Sequence, residues 1–207
     1  MKKGYIWAIV GIIAGVLLLG GGCTACSTYN SLVSEEEGVD RAWGNVENQY
    51  QRRADLIPNL VATVKGYAEH ESSTLEAVTN ARAGLGSALQ AVKDLNTDSA
   101  TYSPAAMQNF AQAQQRLQSA LGVYVNAVHE AYPDLKANEN FKSLQDELAG
   151  TENRISTERN RYNDAVKEYN VMVRRFPNSI FAGMFGFSKR EMFAAEEGAK
   201  YAPKVEF

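Results

Sequence analysis

Apolar residues recur at intervals of three and four along most of this chain, which is the pattern of helices that bury one face. The first such stretch begins near Tyr29, and its apolar positions are Tyr29, Leu32, Val39, Trp43, Val46, Tyr50, Ile57, Leu60, Val64 and Tyr67. Because one helix cannot bury such a face alone, the pattern predicts partner helices elsewhere in the chain.

The clearest of these partners lies near the C-terminal end. Its apolar positions follow an unbroken interval of seven and are Phe141, Leu148, Ile155, Tyr162, Tyr169 and Phe176. Pro177 ends the pattern, because proline cannot continue a helix. The spacing predicts a helix of roughly 36 residues, about 54 Å long at 1.5 Å per residue.

Two shorter helices are predicted between the long ones. The first starts at the capping box formed by Ser73 and Glu76 and continues to about Lys93. The second starts at Ser103, with Pro104 in the first helical position, and stops at Tyr132. Four helices joined by short connections predict an all-α fold, an elongated antiparallel four-helix bundle over residues 29–177.

The chain opens with two lysines and a charge-free run over residues 4–22. Such a run is long enough to cross a membrane as a helix, so we expect an N-terminal transmembrane helix within an anchor of residues 1–28. Acidic residues 35–37 follow it, which predicts a cytoplasmic N-terminus and an extracytoplasmic bundle. A cleaved signal peptide and lipid attachment at Cys23 are the alternatives.

Three stretches of the sequence resemble the LemA family of bacterial membrane proteins. They are residues 29–71 (YNSLVSEEEGVDRAWGNVENQYQRRADLIPNLVATVKGYAEHE), 151–177 (TENRISTERNRYNDAVKEYNVMVRRFP) and 185–207 (FGFSKREMFAAEEGAKYAPKVEF). The resemblance implies a membrane-anchored helical bundle of the cell envelope. LemA-like proteins are commonly encoded beside membrane peptidases or other envelope proteins, so the resemblance implies an envelope protein as partner, with a membrane peptidase as one candidate. The family brings no agreed biochemical activity.

Charged residues occupy several positions on the predicted inner faces of the helices. They are Arg53 on the first helix, Arg82 on the second, and Glu152 and Glu158 on the fourth. Long side chains can reach solvent from the edge of a bundle, which is one interpretation. The other is a buried ionic layer that fixes the register of the helices, with Arg53 paired to Glu152 or Glu158.

Sequence patterns of catalytic and metal sites are missing. His70 and His129 lack the glutamate and histidine spacings of helical metal sites, so no metal, cofactor or catalytic residue is predicted. Cys23 and Cys26 are more typical of apolar fillers or acylation sites than of a redox pair. A net charge of -3 with both signs interspersed argues against a nucleic-acid partner.

Residues 178–207 form a tail whose aromatic positions are Phe181, Phe185, Phe187 and Phe193. The tail is expected to fold back over the end of the bundle. Two alternatives remain: contact with the membrane interface, with Lys189 and Arg190 reaching lipid headgroups, and disorder.

Three functions remain open on these observations. The leading hypothesis is a non-enzymatic, membrane-anchored scaffold or adaptor that binds an envelope protein. A lipid-binding or membrane-remodelling protein is the second, and an enzyme of unrecognised type is the third.

Overall fold

The computed structural model describes residues 2–68, 76–95 and 100–194; of the first 23 residues, only 11, 15 and 22 are described beyond the backbone. Five α-helices are present in these ranges: α1 (Lys2–Ala68), α2 (Glu76–Lys93), α3 (Pro104–Ala131), α4 (Glu139–Arg174) and α5 (Asn178–Phe185). A 3₁₀ turn at Pro133–Ala137 joins α3 to α4. The described ranges contain no β-strand, and the predicted all-α class is confirmed.

α1 is a single helix of 67 residues. A separate start near Tyr29 was expected and is not seen, because the helix of the N-terminal run continues directly into the bundle. Pro58 lies inside α1, where it removes only one backbone hydrogen bond. None of the described helical residues forms a stretch long and apolar enough for a membrane span. The expected span over residues 4–22 lies almost wholly outside the residues described beyond the backbone.

Side-chain caps set the start of α3 and of α4. Ser103 Oγ accepts a hydrogen bond from the backbone N–H of Ala106, and Asn138 Oδ1 accepts one from Phe141 at 3.1 Å. α4 has 36 residues, as its heptads predict. α2 begins at Glu76, while Ser73 of its predicted capping box lies outside the described residues.

The long helices pack in two antiparallel pairs, α1 with α4 and α2 with α3. One core cluster surrounds Trp43, Phe110 and Tyr162 in the half of the bundle nearer the N-terminal run. The other surrounds Leu60, Leu117 and Phe141 in the distal half. α2 and α3 pack on α1 and α4 mainly in the distal half of the bundle. In the nearer half, another segment of the chain must pack on the apolar faces of α1 and α4.

α5 and the residues after it supply that cover. α5 lies across the base of the bundle, where Thr28 Oγ1 donates to Asn178 Oδ1 at 3.5 Å. Gly186, with a φ of 81°, ends α5, and the Phe187 N–H bonds back to the Ala182 carbonyl. This left-handed turn reverses the chain, and residues 187–194, here called the strap, then extend back along α4.

Candidate functional site

Arg53 is buried between three helices of the bundle. Its side chain is 3 % exposed, and Nη1 donates to Glu152 Oε2 on α4 at 3.0 Å. Nη2 donates to the Gln114 side-chain oxygen on α3 at 2.6 Å, and the guanidinium lies 5.1 Å from the ring centre of Tyr50. The cluster therefore ties α1 to α3 and α4 at one level of the bundle.

The other two charges of the expected ionic layer lie elsewhere. Arg82 is exposed on α2, and Glu158 pairs with Arg161 of its own helix at 2.6 Å. The sequence pattern placed both residues on the inner faces of their helices, and this placement was not specific enough to identify the partners of Arg53. Arg82 lies on the solvent-exposed side of α2. A glutamate three residues from an arginine can pair with it on the same helix, as Glu158 does with Arg161. The polar cluster consists of Arg53, Gln114 and Glu152.

Two asparagines of α4 hold the backbone of the strap. Asn170 donates to the Arg190 carbonyl and accepts from the Arg190 N–H, both at 2.9 Å. Asn163 makes the same pair of bonds to Phe193, at 3.2 and 2.9 Å. Seven helical residues rise about 10.5 Å and three extended residues span about 10 Å, so the two asparagines match the strap in register.

Arg190 is the buried centre of the strap. Its side chain is 1 % exposed, and Nη2 lies 3.1 Å from Glu36 and 3.1 Å from Asp40, both on α1. Nη1 donates to Thr101 Oγ1 at 2.7 Å, and the guanidinium carbon lies 3.5 Å from the ring centre of Tyr102. Arg190 therefore joins α1 to the segment before α3, and it is not available to lipid headgroups.

The four tail phenylalanines have different surroundings. Phe193 is 6 % exposed and packs against Trp43, Phe110 and Tyr162. Phe185 and Phe187 contact the ring of Tyr29 at the base, with Phe187 half-buried and Phe185 43 % exposed. Phe181 is half-buried. The part of the tail that folds back on the bundle is thus the strap, whereas one face of α5 remains exposed.

A cleft of about 700 Å³ opens beside the strap, between α3 and α4. Its α3 wall is rich in glutamine, and Arg159 and Glu191 line the opposite side. As far as the described residues go, the lining contains no serine, cysteine or histidine. The cleft therefore offers amide and charged groups for polar binding. Across the described ranges, no three His, Cys, Asp or Glu side chains form a metal-binding group.

A family model described as the LemA family matches residues 42–207 of this chain. The chain belongs to the LemA family. The match includes α2 to α4, α5 and the strap, so the features that hold the strap lie within the family's own region, apart from Glu36 and Asp40.

Curated proteins similar to this LemA-family chain include magnetosome proteins. Magnetosome protein MamQ 2 of Paramagnetospirillum magneticum is 29% identical over 180 residues, which cover 82% of this chain and 66% of MamQ 2. MamQ of Magnetospirillum gryphiswaldense is 28% identical with the same coverage. Protein LemA of Metamycoplasma hominis is 23% identical over 81% of this chain and 69% of its own length. The chain thus spans slightly less than two thirds of the MamQ proteins it matches.

The strap and its partners in this LemA-family protein were missed by the sequence analysis. Arg190 follows Lys189 in a run that reads as a charged surface, and an extended segment has no helical period. One signal was present. Asn163 and Asn170 repeat the heptad interval beside the buried Tyr162 and Tyr169, which placed two amide groups in line at the edge of the inner face.

Burial is the main influence on the ionisable groups near Arg190. It raises the pKa of Asp40 above the usual value, Arg190 opposes this shift, and Glu36 and Glu37 add to it. Burial and the neighbouring Glu36 raise the pKa of Tyr169 to about 12. Tyr169 is therefore protonated at neutral pH, and its hydroxyl donates to Glu36 at 3.5 Å.

Asp40→Asn is expected to change how stability depends on pH. A raised folded-state pKa means that the folded protein binds this proton more readily than the unfolded chain. The contribution of Asp40 is therefore largest below its unfolded pKa and is lost as pH rises through the folded pKa. The urea concentration at the unfolding midpoint should be higher for the wild type than for Asp40→Asn by a larger margin at about pH 4 than at about pH 7. An identical difference at both pH values would contradict this.

Proposed function

We propose that this protein is a non-enzymatic, membrane-associated scaffold of the bacterial cell envelope that presents a helical bundle to a protein partner. Membership of the LemA family supports membrane association, and the names of its relatives denote no enzyme. The charge-free run over residues 4–22 supplies the anchor, with the N-terminus cytoplasmic and the bundle outside.

The observation that carries this proposal is the unbroken course of α1 from Lys2 to Ala68. A flexible linker leaves the distance between the two segments that it joins variable, whereas a helical connection acts as a stiff spacer. Here the anchor and the first bundle helix form one continuous helix. About 40 residues of this helix lie beyond Thr28, and they extend roughly 60 Å away from the anchor. A fixed orientation and reach are what a scaffold requires.

The polar cleft beside the strap is the surface proposed for the protein partner. It is a concave part of the described surface, and its amides suit a polypeptide backbone. A membrane peptidase is the candidate class that the family resemblance suggests.

Protease treatment of intact spheroplasts tests the topology. The full chain should remain in washed membranes, and added protease should degrade the bundle without prior lysis. Protection of the bundle until the membrane is broken would contradict the proposed orientation, and removal of the full chain by alkaline washing would contradict the anchor.

A photo-crosslinking residue at Gln112 tests the partner. Gln112 lines the cleft, whereas Glu130 is an exposed control near the far end of α3. A defined adduct with one membrane protein is expected from position 112 and not from position 130. Equal labelling from both positions, or none from position 112 in native membranes, would contradict the cleft as the partner site.

A further inference from the structure

α5 is apolar on two opposite faces. One face packs on the bundle through the buried Ala182 and the half-buried Phe181. The opposite face carries Ile180 and Met184, whose side chains are 54% and 71% exposed. These two residues are spaced by four, so they form a short stripe on one side of the helix. Phe176, which precedes α5, is 77% exposed. Grouped exposed apolar side chains mark an interaction surface, so the outer face of α5 lacks its apolar surroundings.

The position of α5 relative to the predicted membrane span indicates what lies against its exposed face. α5 contacts α1 at Thr28 and Tyr29, and Thr28 lies six residues beyond Gly22, where the predicted membrane span ends. Since α1 is continuous, six residues place α5 about 9 Å from the end of the run. The headgroup layer on each side of a bilayer is roughly 5 to 8 Å thick. The contact of α5 with α1 therefore lies at the outer edge of the lipid headgroups when residues 4–22 span the hydrocarbon.

The charges around α5 have one sign. Arg174, Arg175 and Lys189 are exposed on either side of it. The sequence has no aspartate or glutamate over residues 169–190, and residues 24–34 of the facing helix carry no charge. The charges closest to α5 in the sequence are thus basic, while Glu35 and Glu168 lie about two helical turns farther along α1 and α4. Basic residues beside an apolar stripe are the composition that suits an anionic lipid surface.

We propose that the exposed face of α5, formed by Ile180 and Met184, inserts together with the preceding Phe176 into the headgroup layer of an anionic bilayer beside the anchor. This inference rests on the proposed membrane anchor and adds a second, surface contact to it. With two contacts, the bundle is held at a fixed tilt as well as at a fixed distance. Arg174, Arg175 and Lys189 bind the phosphates around the inserted stripe.

Fluorescent labels of known position test this contact in the full chain. Ile180→Cys, made with Cys23→Ser and Cys26→Ser, is labelled with an environment-sensitive dye and reconstituted in phosphatidylcholine vesicles that contain phosphatidylglycerol. The control is Val123→Cys in the same background, an exposed apolar position on α3. Position 123 lies roughly 40 Å farther along the bundle. Quenching is measured with lipids that carry a nitroxide near the headgroup.

The dye at position 180 should show blue-shifted emission and loss of intensity with the nitroxide lipid, and the dye at position 123 should show neither. Arg174→Glu with Arg175→Glu should reduce the signal at position 180 in these vesicles. Equal emission and quenching at both positions would overturn the inference and leave the anchor intact. A shielded dye without lipid quenching would also overturn it, because a protein surface would then cover α5. Failure of the chain to float with vesicles would overturn both proposals.

Discussion

Replacing Arg190 by alanine is expected to lower the free energy of unfolding by about 3 kcal/mol. Loss of one member of a buried ion pair typically costs about 3 to 5 kcal/mol, because it leaves its partner charge buried and unpaired. The lower end applies here, since Glu36 and Asp40 keep 28% and 50% side-chain exposure. The loss should also release the strap and uncover Trp43, which packs against Phe193.

Urea unfolding of the full chain in a mild detergent, followed by circular dichroism, measures this effect. Lys189→Ala is the matched control, because Lys189 is adjacent, equal in charge and exposed. Arg190→Lys should also destabilise, since one ammonium cannot replace a guanidinium that bonds to α1 and to Thr101 together. If Arg190→Ala and Lys189→Ala have the same midpoint, the strap is not held by this network.

Arg53→Ala is expected to lower the free energy of unfolding by a similar amount, about 3 kcal/mol, for a different reason. Glu152 can turn to solvent when Arg53 is removed, because its side chain is already 40% exposed. Gln114 cannot, since it is 4% exposed, and an unpaired buried polar group costs about 1 to 3 kcal/mol. The remaining loss comes from the cavity that the arginine stem leaves.

Arg52 provides the control for this substitution. It precedes Arg53, and its bond to Glu147 is of similar length at 2.6 Å, but both side chains are well exposed at 51% and 38%. Arg52→Ala should therefore cost under about 1 kcal/mol. Arg53→Met should lie between the two, because methionine fills most of the volume without bonding to Gln114. Equal midpoints for Arg52→Ala and Arg53→Ala would refute a structural role for the buried cluster.

The helices of this fold could be predicted because each one has a repeated signal. α4 carries five apolar residues at an interval of seven, and Ser103 and Asn138 mark the starts of α3 and α4 with side chains that accept backbone hydrogen bonds. Arg53 could be singled out for the same reason, since it interrupts an otherwise apolar face. The boundary near Tyr29 was wrong because helix propensity does not stop where hydropathy changes.

The strap could not be predicted from such signals. An extended segment without a sheet partner has no period, and its bonds to Asn163 and Asn170 depend on the reversal at Gly186. Arg190 and Lys189 are neighbours with the same charge, yet one is buried and the other exposed. Only the three-dimensional path of the chain decides which of the two meets Glu36 and Asp40.

The continuity of α1 also fixes a rotation. Each helical residue turns the chain by about 100° and advances it by about 1.5 Å, so the number of residues between Gly22 and Thr28 determines which way α5 and the cleft point around the membrane normal. Inserting one residue there would turn the whole bundle by about 100° while leaving every contact within it intact. With residues 4–22 anchored in a membrane as proposed, the direction in which this protein faces its neighbours would be set by a residue count, independently of the chemistry of either surface.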